Sequence, residues 1–208
     1  ALLAGIAVAI MGALLSPYLL YRGWSLMGDA VAHALLPGLL LALFLGVPLL
    51  VGGVVAGLLC AFGVLYFGAR TTLKSGALMG ILFSGLVALG LFLYQFLGIK
   101  LPIQSLLLGN IFAVEGRNLI LLWGVSIGVI SLLVGGGRMF KMVTFDPIYT
   151  HTVAPNGKGM TGLLLLLLTV VIVVAVDIIG ILMVSAFLIT PGLTGRLLSN
   201  RFWMIQLL

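Results

Sequence analysis

Ser25–Gly38 reads SLMGDAVAHALLPG and places two ionisable residues in an otherwise apolar stretch. Asp29 and His33 are four residues apart, so on a helix their side chains leave the same face, one turn apart. An ionised carboxylate at the centre of a bilayer costs about 2.5–3.5 kcal/mol on insertion scales, so it usually faces the interior of a bundle or a water-filled path. The stretch therefore predicts a polar site enclosed by other helices.

The chemistry of this pair has two interpretations. A carboxylate beside a neutral imidazole is the beginning of a donor set for a divalent metal ion. Alternatively, Asp29 and His33 hydrogen-bond only to each other and to neighbouring helices. The spacing alone leaves both open.

The composition places the chain in lipid. Hydrophobic residues make up 63% of the 208 residues, charged residues 7%, and the mean hydropathy is +1.39. A soluble domain is about 45–50% apolar and about 25% charged. The chain is therefore predicted to be a multi-pass membrane protein. The ten basic residues are scattered, so a nucleic-acid partner is not expected.

A helix needs about 20 residues to cross the hydrocarbon layer, which predicts about seven spans. The fold class is an all-α transmembrane helical bundle forming one domain over residues 1–208. Gly98–Asn118 is predicted to be a loop with a short helix near Ile103–Leu108. The predicted spans are Leu2–Tyr21, Leu26–Leu45, Pro48–Phe67, Ala77–Leu97, Leu119–Val134, and two within Met160–Gly195 that are joined by a tight turn near Asp177–Gly180, the second ending near Pro191.

Two further features concern chain geometry. Pro37, followed by Gly38, removes a backbone donor and predicts a kinked or broken second helix, whose freed carbonyls can serve a ligand or water. The chain begins at Ala1 within one apolar segment and ends at Leu208 within another. This predicts a piece of a longer chain, truncated at both ends.

The positive-inside rule orients the spans. If the loop after the third span is cytoplasmic, eight of the ten basic residues lie inside, and only Lys100 and Arg117 lie outside. The eight are Arg22, Arg70, Lys74, Arg138, Lys141, Lys158, Arg196 and Arg201.

The cytoplasmic loop 138–159 is the longest polar stretch. Asp146-Pro147 is a helix-entry signal, with the acid as cap and the proline in the first turn. It predicts a short surface helix over Ile148–Val153, which suits docking onto a soluble partner. The alternative is a solvated connector. His151, on this helix, is expected to be a surface or interface residue.

Five stretches in order resemble the permease subunit of the ABC importers for manganese, zinc and iron. They are SLMGDAVAHALLPG (25–38), GILFSGLVALGL (80–91), LLLGNIFAV (106–114), VTFDPIYTHTVAPN (143–156) and IIGILMVSAFLITPGLTGRLLSNR (178–201). The chain departs from the family pattern at Ser75-Gly76 and Ala154-Pro155.

The resemblance implies a transport subunit of the cytoplasmic membrane of a prokaryote, with a second permease copy, two ATP-binding subunits and an extracytoplasmic metal-binding protein as partners. It implies that Asp29 and His33 bind the transported metal, with manganese or iron favoured over zinc, and that no cofactor is permanently bound. It also implies that Asp146, Pro147, Ile148, Tyr149 and His151 form the element that couples to the ATPase.

The ATPase activity is expected on a separate subunit, because no G-x-x-x-x-G-K-[ST] motif occurs in this chain. The main alternative is a proton- or ion-coupled secondary carrier that uses Asp29 and His33 as a proton relay. Such carriers often contain inverted repeats, and the sequence shows none.

Overall fold

The computed structural model describes residues 2–98, 109, 116–145, 157–199, 202 and 205. These ranges contain eight helices, of which seven are long and apolar enough to cross a membrane, as predicted. The helices are α1 (Leu2–Tyr21), α2 (Met27–Leu45), α3 (Leu49–Gly68), α4 (Ser75–Leu97), α5 (Gly116–Gly135), α6 (Gly137–Phe145), α7 (Gly157–Ile179) and α8 (Ile181–Leu198).

α2 is the central helix of the bundle. It packs most extensively against α3 and α4 and also contacts α7 and α8. Most of its length is buried within the protein, whereas α4 and α5 are largely exposed on the outside of the bundle. The helix that carries the ionisable pair is therefore enclosed, as its sequence requires.

The predicted break at Pro37 is wrong, because α2 continues through Pro37 and Gly38 to Leu45. A proline costs its helix one hydrogen bond, here the one to the carbonyl of His33, and packed neighbours make this tolerable in a membrane helix. α4 packs closely against α2 at Pro37, since a Cβ added at Gly90 of α4 would lie 3.2 Å from Cδ of Pro37.

The tight turn between the last two spans is confirmed at Gly180, which has a φ of 79°. Asp177 lies within α7 rather than in the turn. α8 runs past Pro191 to Leu198, so the predicted end near Pro191 is wrong.

A hydroxyl group from α1 stabilises α8 at this proline. Ser16 donates a hydrogen bond to the carbonyl of Ile189 at 3.3 Å and accepts one from the N–H of Gly192 at 2.9 Å. This pair of bonds satisfies backbone groups on both sides of Pro191 and joins α1 to α8.

The loop predicted over 138–159 is shorter than expected. α5 ends at Gly135, and the next residues form α6 instead of loop. α6 is amphipathic and buries Phe140 and Val143 against the bundle. The predicted helices over Ile148–Val153 and Ile103–Leu108 lie outside the described residues.

Small residues allow α2 and α3 to touch backbone to backbone. A Cβ added at Gly52 would lie 2.7 Å from the carbonyl oxygen of Gly38 and would overlap the Ala42 methyl group. A Cβ at Gly38 would overlap Ala56 in the same way. Both helices thus use a small-x-x-x-small pattern, which permits close approach in membranes.

We expect Gly52→Ala to destabilise the protein by about 1–3 kcal/mol, because the added methyl group overpacks the α2–α3 contact. Gly63→Ala on the same helix is the control, since no atom lies within 4 Å of its added Cβ. Thermal unfolding of the detergent-solubilised protein measures both. Equal melting temperatures for the two variants would contradict the close contact.

Candidate functional site

Asp29 and His33 lie in the first two turns of α2 with their side chains side by side. Nε2 of His33 is 3.5 Å from Oδ1 of Asp29. This distance exceeds the 2.7–3.2 Å of an ordinary N–H···O hydrogen bond. Among the described residues, neither side chain forms a hydrogen bond with another helix. The two groups are therefore in ion-pair contact, at a longer separation than a short hydrogen bond.

The pair lies at mid-depth in the bundle. A Cβ at Gly28 would meet Leu188 at 3.3 Å, near the midpoint of α8. Gly57 lies near the midpoint of α3, and a Cβ added there would lie 3.2 Å from Val31 of α2. The same Cβ would lie 2.6 Å from Thr169, which is near the midpoint of α7. This part of α2 therefore lies beside the middle of three neighbouring helices.

Burial of the two side chains is unequal. The His33 side chain is 12% exposed and the Asp29 side chain is 31% exposed. The imidazole is therefore held within the protein, while the carboxylate remains open on one side. An open carboxylate at mid-depth can accept a cation without displacing a helix.

Phe83 of α4 orients the imidazole. The two ring centroids are 4.6 Å apart, with an interplanar angle of 81°, an edge-to-face arrangement. Phe83 is itself packed against the core. The rigid aromatic ring restricts the directions in which the His33 nitrogens can point.

In the described part of the chain, Asp29 and His33 are the two strong donor side chains at this point. Within the described ranges, no three His, Cys, Asp or Glu residues come close enough to hold a metal ion together. The coupling residues expected from the sequence, Asp146, Pro147, Ile148, Tyr149 and His151, lie outside those ranges.

Several other polar residues of the spans have partners among the described residues. The hydroxyls of Ser84 and Ser185 donate to carbonyls of their own helices. Asn118 donates to the Asp177 carboxylate at 3.1 Å, at the opposite end of the bundle from Arg22. Cys60 is buried in the core.

Two of the basic residues expected in the cytoplasm lie close together at one end of the bundle. Arg196 lies over the ring of Tyr21 at 5.2 Å, and Lys141 lies over that of Phe202 at 5.2 Å. Tyr21 and Phe202 are themselves in contact, with centroids 5.8 Å apart. This common end agrees with the alternation of spans predicted from the charges.

Comparison with known proteins identifies the fold and the sequence pattern together. The whole chain, residues 1–208, matches the ABC 3 transport family. The protein belongs to this family. It is therefore a multi-pass membrane subunit of a transport system, and the resemblance drawn from the five stretches is confirmed.

Several relatives in the ABC 3 transport family are named for metals. The chain is 37% identical to the probable iron transport system membrane protein of Haemophilus influenzae over 97% of this chain and 74% of that protein. It is 34% identical to the manganese import system permease protein ScaB of Streptococcus parasanguinis over 100% of this chain and 74% of that protein.

A solved structure has the same architecture. PsaBC from Streptococcus pneumoniae, determined in complex with Fab, matches with a TM-score of 0.84 and 31% identity over 99% of this chain and 74% of that chain. The fold of this family member is thus shared throughout the described helices.

Sequence reasoning missed three contributors to the site and its support. Phe83 is one of many apolar residues in α4, and only the fold shows that it meets His33. Ser16 looked like an isolated polar residue beside Pro17. Arg22 was used only as a topology marker, although its position directly before the Asp29 helix was a usable signal.

Proposed function

We propose that this chain is the membrane subunit of an ABC importer that moves a divalent transition-metal cation, and that Asp29 and His33 bind the cation during passage. The observation that supports this most is the geometry of the pair at mid-depth. The two donor atoms face each other at 3.5 Å without forming a short hydrogen bond.

This separation suits two ligands of one metal ion. Metal–nitrogen and metal–oxygen bonds of about 2.0–2.2 Å at a tetrahedral angle place neighbouring donor atoms about 3.3–3.6 Å apart. A carboxylate and an imidazole form a mixed hard and borderline donor set, which accepts Mn(II), Fe(II) or Zn(II). The relatives named for manganese and iron favour the first two metals.

A second copy of the permease would complete the site. Two ligands per chain fall short of the four that a zinc ion takes in structural sites. Two copies of Asp29 and His33 would provide two carboxylates and two imidazoles, and the two negative charges would neutralise a dication. The exposed side of the Asp29 carboxylate is available for contact with a metal ion shared with the second copy.

Membership of the ABC 3 transport family supports a proposal for the energy source and for delivery of the ion. ATP hydrolysis would take place on separate nucleotide-binding subunits below segment 146–156, and an extracytoplasmic metal-binding protein would deliver the ion. The complex would reside in the cytoplasmic membrane of a prokaryote and alternate between outward-open and inward-open arrangements. The rival hypothesis, a proton-coupled carrier, lacks this support from the family.

We expect Asp29→Asn and His33→Ala each to reduce ATP-driven metal uptake by at least about 100-fold, because each removes a ligand from a small donor set. Uptake of Mn(II) and Fe(II) is measured in proteoliposomes that contain the complete transporter and its binding protein. Asp177→Asn is the matched control, since Asp177 is an acid at the far end of α7 whose carboxylate contacts Asn118.

Assembly separates a site defect from a folding defect. Both variants should still copurify with the ATP-binding subunit. Wild-type uptake by either variant would contradict the assigned ligands. Uptake that needs a proton gradient and continues without ATP would favour the secondary carrier.

We expect Phe83→Leu to raise the KM for the metal by about three- to tenfold with little change in kcat, because an aromatic contact contributes about 0.5–1.5 kcal/mol. Phe92→Leu on the same helix is the control, since Phe92 is 64% exposed and stacks on Phe96 of its own helix. An unchanged KM in both variants would show that Phe83 does not orient the imidazole.

A further inference from the structure

Arg22 joins the end of α6 to the start of α7. Its Nη2 donates to the carbonyl of Val143 at 2.5 Å and to the hydroxyl of Thr161 at 3.2 Å. Val143 lies in the last turn of α6, directly before segment 146–156, and Thr161 lies in the second turn of α7, directly after it. Arg22 itself directly follows α1.

The carbonyl of Val143 needs a donor from elsewhere. In a continuing helix its partner would be the N–H of residue 147, four positions on, but that residue is Pro147. The last carbonyls of a helix also carry the negative end of its dipole and favour a cation. The Arg22 guanidinium supplies both the donor and the charge.

The other side of Arg22 connects to the helix of the ionisable pair. The guanidinium lies 4.7 Å from the ring centroid of Trp24, which is 6% exposed. The N–H of Trp24 donates to the carbonyl of Leu19 at 2.8 Å, and its carbonyl accepts from the N–H of Met27 at 2.9 Å. Arg22 and Trp24 thus form the turn from which α2 begins.

Ring contacts strengthen the same connection. Tyr21 and Phe145 have ring centroids 4.8 Å apart, and Tyr18 and Phe140 have centroids 6.2 Å apart. These contacts hold the end of α1 against α6 at Phe140 and Phe145.

Burial also lowers the pKa of the Arg22 guanidinium, yet arginine stays protonated at any physiological pH.

We infer that Arg22 is a positioning residue that conveys movement of α6 and of the start of α7 to α2 and so to Asp29 and His33. This inference rests on the proposed function, in which an ATPase acts on this end of the bundle. The guanidinium bonds to both α6 and α7 and lies against Trp24 in the turn before α2, so a shift of either helix acts on that turn. The pair lies only two turns further along the chain.

The first experiment measures metal transported per ATP hydrolysed, in proteoliposomes containing the complete transporter and Mn(II). We expect Arg22→Ala to lower this ratio about tenfold, because two hydrogen bonds from a charged group are lost, while ATP hydrolysis continues. Arg22→Lys keeps the charge and should restore a large part of the ratio. Arg70→Ala is the matched control, since the Arg70 guanidinium lies 4.4 Å from the Tyr66 ring centroid in an exposed position.

A purely structural role would lower the yield of all Arg22 variants and leave the ratio at the wild-type value, which would overturn the inference. An equal fall in the Arg70→Ala control would also overturn it. A wild-type complex that transports no divalent metal would instead refute the proposed function, and a second readout covers that case.

The second readout is hydrogen–deuterium exchange of the assembled complex with nucleotide trapped by vanadate, and it needs no metal. We expect trapping to change exchange in both α6 and the first turns of α2 in the wild type. In Arg22→Ala, only α6 should respond. An unchanged response of α2 in this variant would show that movement reaches it by another route.

Discussion

An ionisable pair at mid-depth in a membrane requires its helix to be enclosed, and the rest of the bundle is arranged around that constraint. Lipid offers no partner for the Asp29 carboxylate, so protein must surround it on most sides. α2 accordingly contacts α3, α4, α7 and α8 and lies at the centre. The exposed apolar surface is left to outer helices such as α4 and α5, where lipid is a suitable solvent.

Enclosure by four helices depends on small side chains, because helices in lipid gain no hydrophobic free energy by meeting. The backbones of α2 and α3 approach closely at Gly38 and Gly52. On the other side, the absence of a side chain at Gly90 of α4 leaves space for Leu36 and Pro37 of α2. The same contacts explain why Pro37 does not break its helix. Close neighbours on both sides leave the chain no room to bend away.

The sequence predicted the spans well because their lengths follow from the thickness of the hydrocarbon layer. Their alternating direction follows from the positions of the basic residues. The prediction failed where a tertiary partner decides the outcome. The local preference of Pro191 predicted the end of a span there. The helix continues because the Ser16 hydroxyl of α1, which is distant in sequence, stabilises the backbone around Pro191. The two ionisable residues of the site were predictable, because placing such side chains in lipid costs free energy and therefore requires a reason. Phe83 was not predictable, because nothing in the sequence distinguishes it from the other apolar residues of α4.

Under the proposed function, a divided donor set has a physical advantage over a complete one. Four ligands in one rigid chain would hold the metal with the same affinity throughout the transport cycle. Two ligands in each of two chains make the affinity depend on the distance between the two α2 helices, so a rigid-body movement can weaken binding and release the ion. Such a site needs each α2 to move as a unit, which its unbroken helix permits. It also needs a firm attachment at the cytoplasmic end of that helix, where Arg22 and Trp24 precede it.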